Sequence, residues 1–146
     1  MTAVETITAE QARARLDEQL RAAVDRVGQV SQRPTLEQHL VGTMSCDDPT
    51  DGGPPGRVFV EAHHWLRGVA RSRNRDVFDA LHDHWSSHGY AVITDLRHRD
   101  TAPELQVRHG QDGFSLSLRE NLDGELTLSG SSPCVWPEGH PPDADL

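Results

Sequence analysis

Hydrophobic positions along the first third of the chain recur with helical spacing. Leu16, Leu20, Val24 and Val27 lie four, four and three residues apart and form one narrow stripe. Thr8 is placed to cap this helix, with Gln11 completing a capping box and Ile7 as the staple residue. Gly28 and Pro34 are the expected stops. An amphipathic helix of this kind either packs on its own domain or serves as a stalk for a partner, and packing is the commoner use. Leu36, Leu40, Met44 and Cys46 share a parity, which predicts an extended strand over 36–46. A loop rich in proline and glycine follows at 47–56. Val58, Val60 and Ala62 alternate with Phe59 and Glu61, predicting a second strand that runs to about Leu66.

A second helix is expected from Asn74, as N-cap, to Gly89 at C′. Val77, Phe78, Leu81 and Trp85 form its buried face. Beyond it the period changes to two: Tyr90 to Leu96, then Leu105 and Val107, then Phe114, Leu116 and Leu118, then Leu126 and Leu128. Asp112-Gly113 and Asp123-Gly124 stand where hairpin turns require residues tolerant of positive φ. Ser115, Ser117, Arg119, Thr127 and Ser129 occupy the opposite parity, so one sheet face is wet. The expected fold is a two-layer α+β domain, with the N-terminal helix and a second helix packed on one face of a mainly antiparallel sheet of about five or six strands. The chain divides into an amphipathic helix (1–34), a disulfide-closed α+β domain (35–136) and a proline-rich tail (137–146) expected to be disordered.

Composition adds a thin core and an acidic surface. Leu, Ile, Val and Phe supply 31 of 146 residues, near the ~20% level below which chains tend to stay unfolded. The net charge is −9, and all 14 basic residues are arginine. Such a chain is repelled by phosphate backbones and anionic lipid. The cluster Arg67, Arg71, Arg73 and Arg75 lacks interleaved aromatics, so no nucleic-acid partner is expected. No stretch approaches the ~18 apolar residues of a membrane span.

Two cysteines, Cys46 and Cys134, bracket the α+β region. A bond between them would staple the thin core and place the chain in an oxidising compartment; two unpaired thiols would suit the cytoplasm. Residues 1–10 lack the basic, apolar and small-residue regions of a secretory signal, which favours the cytoplasmic alternative.

Catalytic patterns are sparse. No serine sits in a G-x-S-x-G elbow, no glycine-rich phosphate loop occurs, and nothing local activates Cys46 as a nucleophile. The nine histidines raise the question of metal. His84 and His88, four apart, share a helix face and could chelate one ion, whereas His82 points about 160° from His84 by the 3.6-residue period. A third ligand would have to come from His63, His64 or His109. The acidic loop Asp47, Asp48 and Asp51 does not follow the EF-hand pattern and reads as a turn. No cofactor and no metal centre are expected on these grounds, with His84 and His88 as the weak candidates.

The segments CDDPTDGGPPGRV (46–58), WLRG (65–68) and SPCVWP (132–137) together resemble a group of small, functionally uncharacterised actinobacterial envelope proteins, many of which carry lipoprotein signals. The resemblance covers roughly residues 8–137. It implies an exported domain in which Cys46 and Cys134 pair, and it supplies no catalytic residues. The lipoprotein signal and its lipobox cysteine do not occur in this chain. The resulting expectation is a non-enzymatic, envelope-associated domain that binds a protein partner or small ligand. The alternative is a cytoplasmic acidic protein, of immunity or adaptor type, that binds a basic protein.

Overall fold

The first helix, α1 (Ala9–Val30), begins where its capping box places it. Gln11 N donates to Thr8 Oγ1 at 3.0 Å, and Thr8 N donates to Gln11 Oε1 at 2.9 Å. Two donors left over by helix geometry are thereby satisfied. This computed structural model describes residues 5–46 and 55–142. Ala12, Leu16, Leu20, Ala23, Val24 and Val27 form the buried stripe, so the helix docks on the domain. Gly28 does not end it. The helix runs on to Val30 and closes when Ser31 N bonds to Val27 O. The returning chain passes so close to Gly28 that an added Cβ would meet Arg33 Cβ at 3.3 Å.

Strand β1 (Thr35–Ser45) and strand β2 (Val58–Arg67) form an antiparallel pair. The register slips between Gln38 and Leu40, leaving His39 as a bulge. One extra residue reverses the side-chain parity beyond it. Leu36 and Val41 therefore pack on the core, while Leu40 and Met44 are 52% and 48% exposed. The single parity expected for Leu36, Leu40 and Met44 is corrected by this bulge.

A single 3₁₀ turn (Arg71–Arg73) leads into α2 (Asn74–Ser86). Asn74 is not the N-cap, because its backbone is already helical and Arg73 holds that position. The buried Asn74 amide instead donates to Glu120 Oε1 at 2.7 Å and Gly124 O at 2.9 Å, tying α2 to a turn of the sheet. The C-cap is Ser87, so Gly89 is not the expected C′ residue but stands one position beyond it, where its φ of +87° turns the chain toward the next strand.

The remaining strands are β3 (Tyr90–Asp95), β4 (Glu104–His109), β5 (Ser115–Glu120) and β6 (Leu126–Ser131). The six-stranded sheet has the order β1-β2-β6-β5-β4-β3, with every pairing antiparallel. Gly113 and Gly124 take positive φ in the β4–β5 and β5–β6 turns, as their Asp-Gly sequences predict. Both helices cover one face, where Val60, Leu66, Leu105, Val107, Leu116, Leu118, Leu126 and Leu128 meet Leu16, Leu20, Phe78, Leu81 and Trp85. The fold is thus a two-layer α+β domain with one uncovered sheet face.

Residues beyond the last strand lie against the chain's beginning. Val58 and Val135 form a bridge, Ala9 N bonds to Pro137 O, and Thr6 N bonds to Gly139 O. Trp136 is buried, and its backbone N–H donates to Thr6 Oγ1 at 2.8 Å. Residues 143–146 of the tail lie outside the described residues.

Candidate functional site

The uncovered sheet face is organised in cross-strand rows. One row runs Leu40, His63, Ser129, Ser117, Gln106 across β1, β2, β6, β5 and β4. The next runs Gly42, Glu61, Ser131, Ser115, Arg108, and a third runs Glu37, Trp65, Thr127, Arg119, Glu104. In the first two rows small hydroxyl residues thus fill the centre, on β5 and β6, between larger side chains on β2 and β4. The result is a trough with a hollow of about 140 Å³, bounded by Phe59, Glu61 and His63 on one side and Gln106 on the other.

Its β2 wall is ordered by side-chain contacts. His63 Nδ1 lies 2.8 Å from Ser129 Oγ, and His63 Nε2 lies 3.5 Å from Glu61 Oε2. One row along, the Trp65 ring meets His39 at 5.4 Å between centroids, and the Arg67 guanidinium lies 4.9 Å over Trp65. Arg67 is held by Glu37 at 3.0 Å and Glu125 at 2.6 Å. These hydrogen bonds lower the Glu125 pKa and raise that of Arg67. Arg73 likewise pairs with Asp76. Two members of the basic cluster therefore face carboxylates.

The serine, histidine and carboxylate invite comparison with a nucleophilic relay. Ser129, however, is only 8% exposed and sits on β6, which is paired on both sides by β2 and β5. The amides of such a central strand are committed to the sheet ladder, and an oxyanion needs free donors aimed at it. The arrangement suits hydrogen bonding to a resting ligand.

The second constellation lies on the helix layer. His84 and His88 are brought together at the end of α2, with ring centroids 4.2 Å apart. They line two adjoining grooves against α1. One includes Asp25, Arg26 and Asp83; the other includes Glu18, Gln19, Tyr90 and His109. Burial, His88 and Arg26 lower the His84 pKa. Burial, then Asp112, pushes Tyr90 up to about 12, so its hydroxyl stays protonated. The buried Trp85 Nε1 and Gln19 Oε1 have no hydrogen-bond partner at the floor of the second groove.

The other histidines are dispersed. His63 is on the uncovered face; His64 points the opposite way, toward the core side, where burial lowers its pKa. His109 reaches the groove, but its Nδ1 accepts from the Gln111 and Asp112 amides and contacts Asp112 Oδ1 at 3.2 Å. His82 contacts Asp83 and Asp95 instead. Among the described residues, no three histidine, cysteine or acidic side chains converge as a metal site. Asp47, Asp48 and Asp51 lie outside the described residues.

Cys46 and Cys134 form a disulfide, with their Cα atoms 6.2 Å apart. It joins the end of β1 to the segment just after β6, beside the Val58–Val135 bridge. The trough was not found by sequence reading, although its signal was present. The polar parity of β5 and β6 and the polar parity of β2 become one surface once β2 and β6 are neighbours.

No helix among the described residues is long and apolar enough to cross a membrane. No protein-family model matches the chain, and no curated protein sequence matches it. Among solved structures, the crystal structure of the "putative lipoprotein LppA from Mycobacterium tuberculosis" matches with a TM-score of 0.57. The match covers 93% of this chain and 86% of that chain, at 15% sequence identity. The chain therefore shares the fold of a protein named as a lipoprotein.

Proposed function

We propose that this protein is a non-enzymatic, extracytoplasmic binding domain whose ligand lies in the hydroxyl-floored trough of the uncovered sheet face. The observation that carries this reading is the set of aligned rows, in which Ser115, Ser117, Ser129 and Ser131 lie between His63, Glu61 and Phe59 on one wall and Gln106 and Arg108 on the other. Half-buried aromatic rings beside neutral and charged hydrogen-bonding groups suit a polar, hydroxyl-bearing ligand of the saccharide class. Apolar ring faces cover C–H surfaces while amide, carboxylate and hydroxyl groups fix orientation. The disulfide supports an oxidising compartment, and the likeness to a protein named as a lipoprotein accords with the envelope.

The test is to titrate the oxidised full chain with soluble peptidoglycan fragments while following backbone amide shifts. Saturable shifts confined to Ser115, Ser117, Ser129, Ser131 and His63 are expected. Ser117→Arg, which fills the trough from a solvent-facing position, should abolish them without changing the melting temperature. Shifts elsewhere, or undiminished binding by a folded Ser117→Arg chain, would overturn the placement.

A further inference from the structure

The end of α2 and the turn that follows it bring the His84 and His88 rings side by side. His84 lies in the last turn of α2 and His88 in the turn just past its C-cap Ser87, four positions on. Their ring planes are tilted by 35° at 4.2 Å between centroids. The tautomer of His88 is fixed by geometry. His88 Nδ1 lies 2.6 Å from the carbonyl oxygen of His84. A carbonyl only accepts, so Nδ1 carries the proton and donates, and Nε2 is left with its lone pair. A backbone carbonyl holding one imidazole nitrogen is the usual outer-shell support of a metal-binding histidine. His88 is exposed, and neither ring nitrogen of His84 has a hydrogen-bond partner among the described residues.

The surroundings add negative field. Asp25 and Asp83 line one adjoining groove and Glu18 the other, with Arg26 as the neighbouring cation. His82 faces Asp95 and cannot join, and His109 has its Nδ1 turned into its own loop.

We propose that His84 and His88 form a two-imidazole site for a divalent first-row transition ion, Cu²⁺ in preference to Zn²⁺, with water completing the shell. Imidazole donors suit both ions, and a site with only two protein ligands ranks them by intrinsic affinity, in which Cu²⁺ stands above Zn²⁺. A closed tetrahedral zinc site would need four ligands, which the described residues do not bring together here. The site is separate from the trough, because it stands on the helix layer and not on the uncovered sheet face.

The experiment titrates the untagged, oxidised full chain with Cu²⁺ alone at pH 7.4 in a non-coordinating buffer, followed by calorimetry and electron paramagnetic resonance. One equivalent should bind, with superhyperfine structure from two imidazole nitrogens. His84→Gln and His88→Gln should each weaken binding roughly tenfold or more, since even an outer-shell partner is worth roughly 10–100-fold. His82→Gln should leave it unchanged. Absence of saturable binding would overturn the site, as would a wild-type spectrum with one or no imidazole nitrogen. So would unweakened one-equivalent binding by the His84 and His88 variants. The spectral count is read on the wild-type protein and does not depend on how any variant folds.

Discussion

Leu16 of α1 rests directly on Gly130 of β6. A Cβ built on Gly130 would lie 2.6 Å from Leu16 Cδ1 and 2.7 Å from Leu116 Cδ2. Glycine at this point lets the helix approach the sheet to backbone distance, and the contact shows why α1 packs on the domain and does not project from it. The two residues are 114 apart in sequence, so neither half of the contact advertises the other.

Gly130→Ala should therefore destabilise the protein even though alanine is compatible with a strand. The added methyl also meets Ser115 O at 3.1 Å, so yielding by Leu16 alone does not relieve the crowding. Overpacking of this kind costs about 1–3 kcal/mol. Urea denaturation should show a lower midpoint with an unchanged slope. A midpoint equal to that of the wild type would mean that the helix is set farther from the sheet.

Reduction of the Cys46–Cys134 bond should lower stability by about 2–5 kcal/mol, the usual range for a native disulfide in a small domain. Its 88-residue separation closes most of the domain, and the core it supports is thin. The check is paired denaturation of oxidised and reduced protein, with intact mass and thiol alkylation establishing the redox state. Two alkylated thiols in protein isolated without reductant would remove the main support for an extracytoplasmic location.

Stability should fall as pH drops below 6.5, and His64 is one cause. Burial lowers its pKa from the ordinary 6.5 despite the opposing effect of Asp17, and His63 adds to the lowering. Its Nδ1 is buried without a hydrogen-bond partner. At pH values between the folded and unfolded pKa, the unfolded chain binds more protons, so acid favours unfolding. The contribution is complete above 6.5 and is lost as pH falls through the folded pKa. His84 acts with the same sign. Melting temperatures measured from pH 8 to pH 5 should fall less steeply for His64→Leu than for the wild type; parallel curves would refute the role of His64.

Much of the architecture is legible in local sequence. The Thr8–Gln11 box fixes the start of α1, and the Val77–Trp85 stripe fixes the buried face of α2. Alternation from Leu105 to Leu128 fixes which sides of β4, β5 and β6 enter the core. The nearness of His84 and His88 is signalled by their spacing of four, although His88 stands in the turn just past the end of α2. These are short-range relations, decided by backbone geometry within one or two turns or along one strand.

Tertiary structure decided the rest. The His39 bulge reverses Leu40 and Met44, because register is set by the partner strand and an inserted residue leaves no mark on composition. Helix α1 continues past Gly28, where its packing and the passing Arg33 outweigh the weak helix propensity of glycine. Asn74 is drawn from capping α2 to bonding Glu120 and Gly124, since a buried amide must find partners wherever the fold supplies them. The trough exists only because β2 lies beside β6, bringing His63 to Ser129 across 66 residues of sequence. By itself, the sequence determined the elements and the faces they bury. The long-range pairing of those elements, where burial and hydrogen bonding are satisfied together, determined which polar side chains meet.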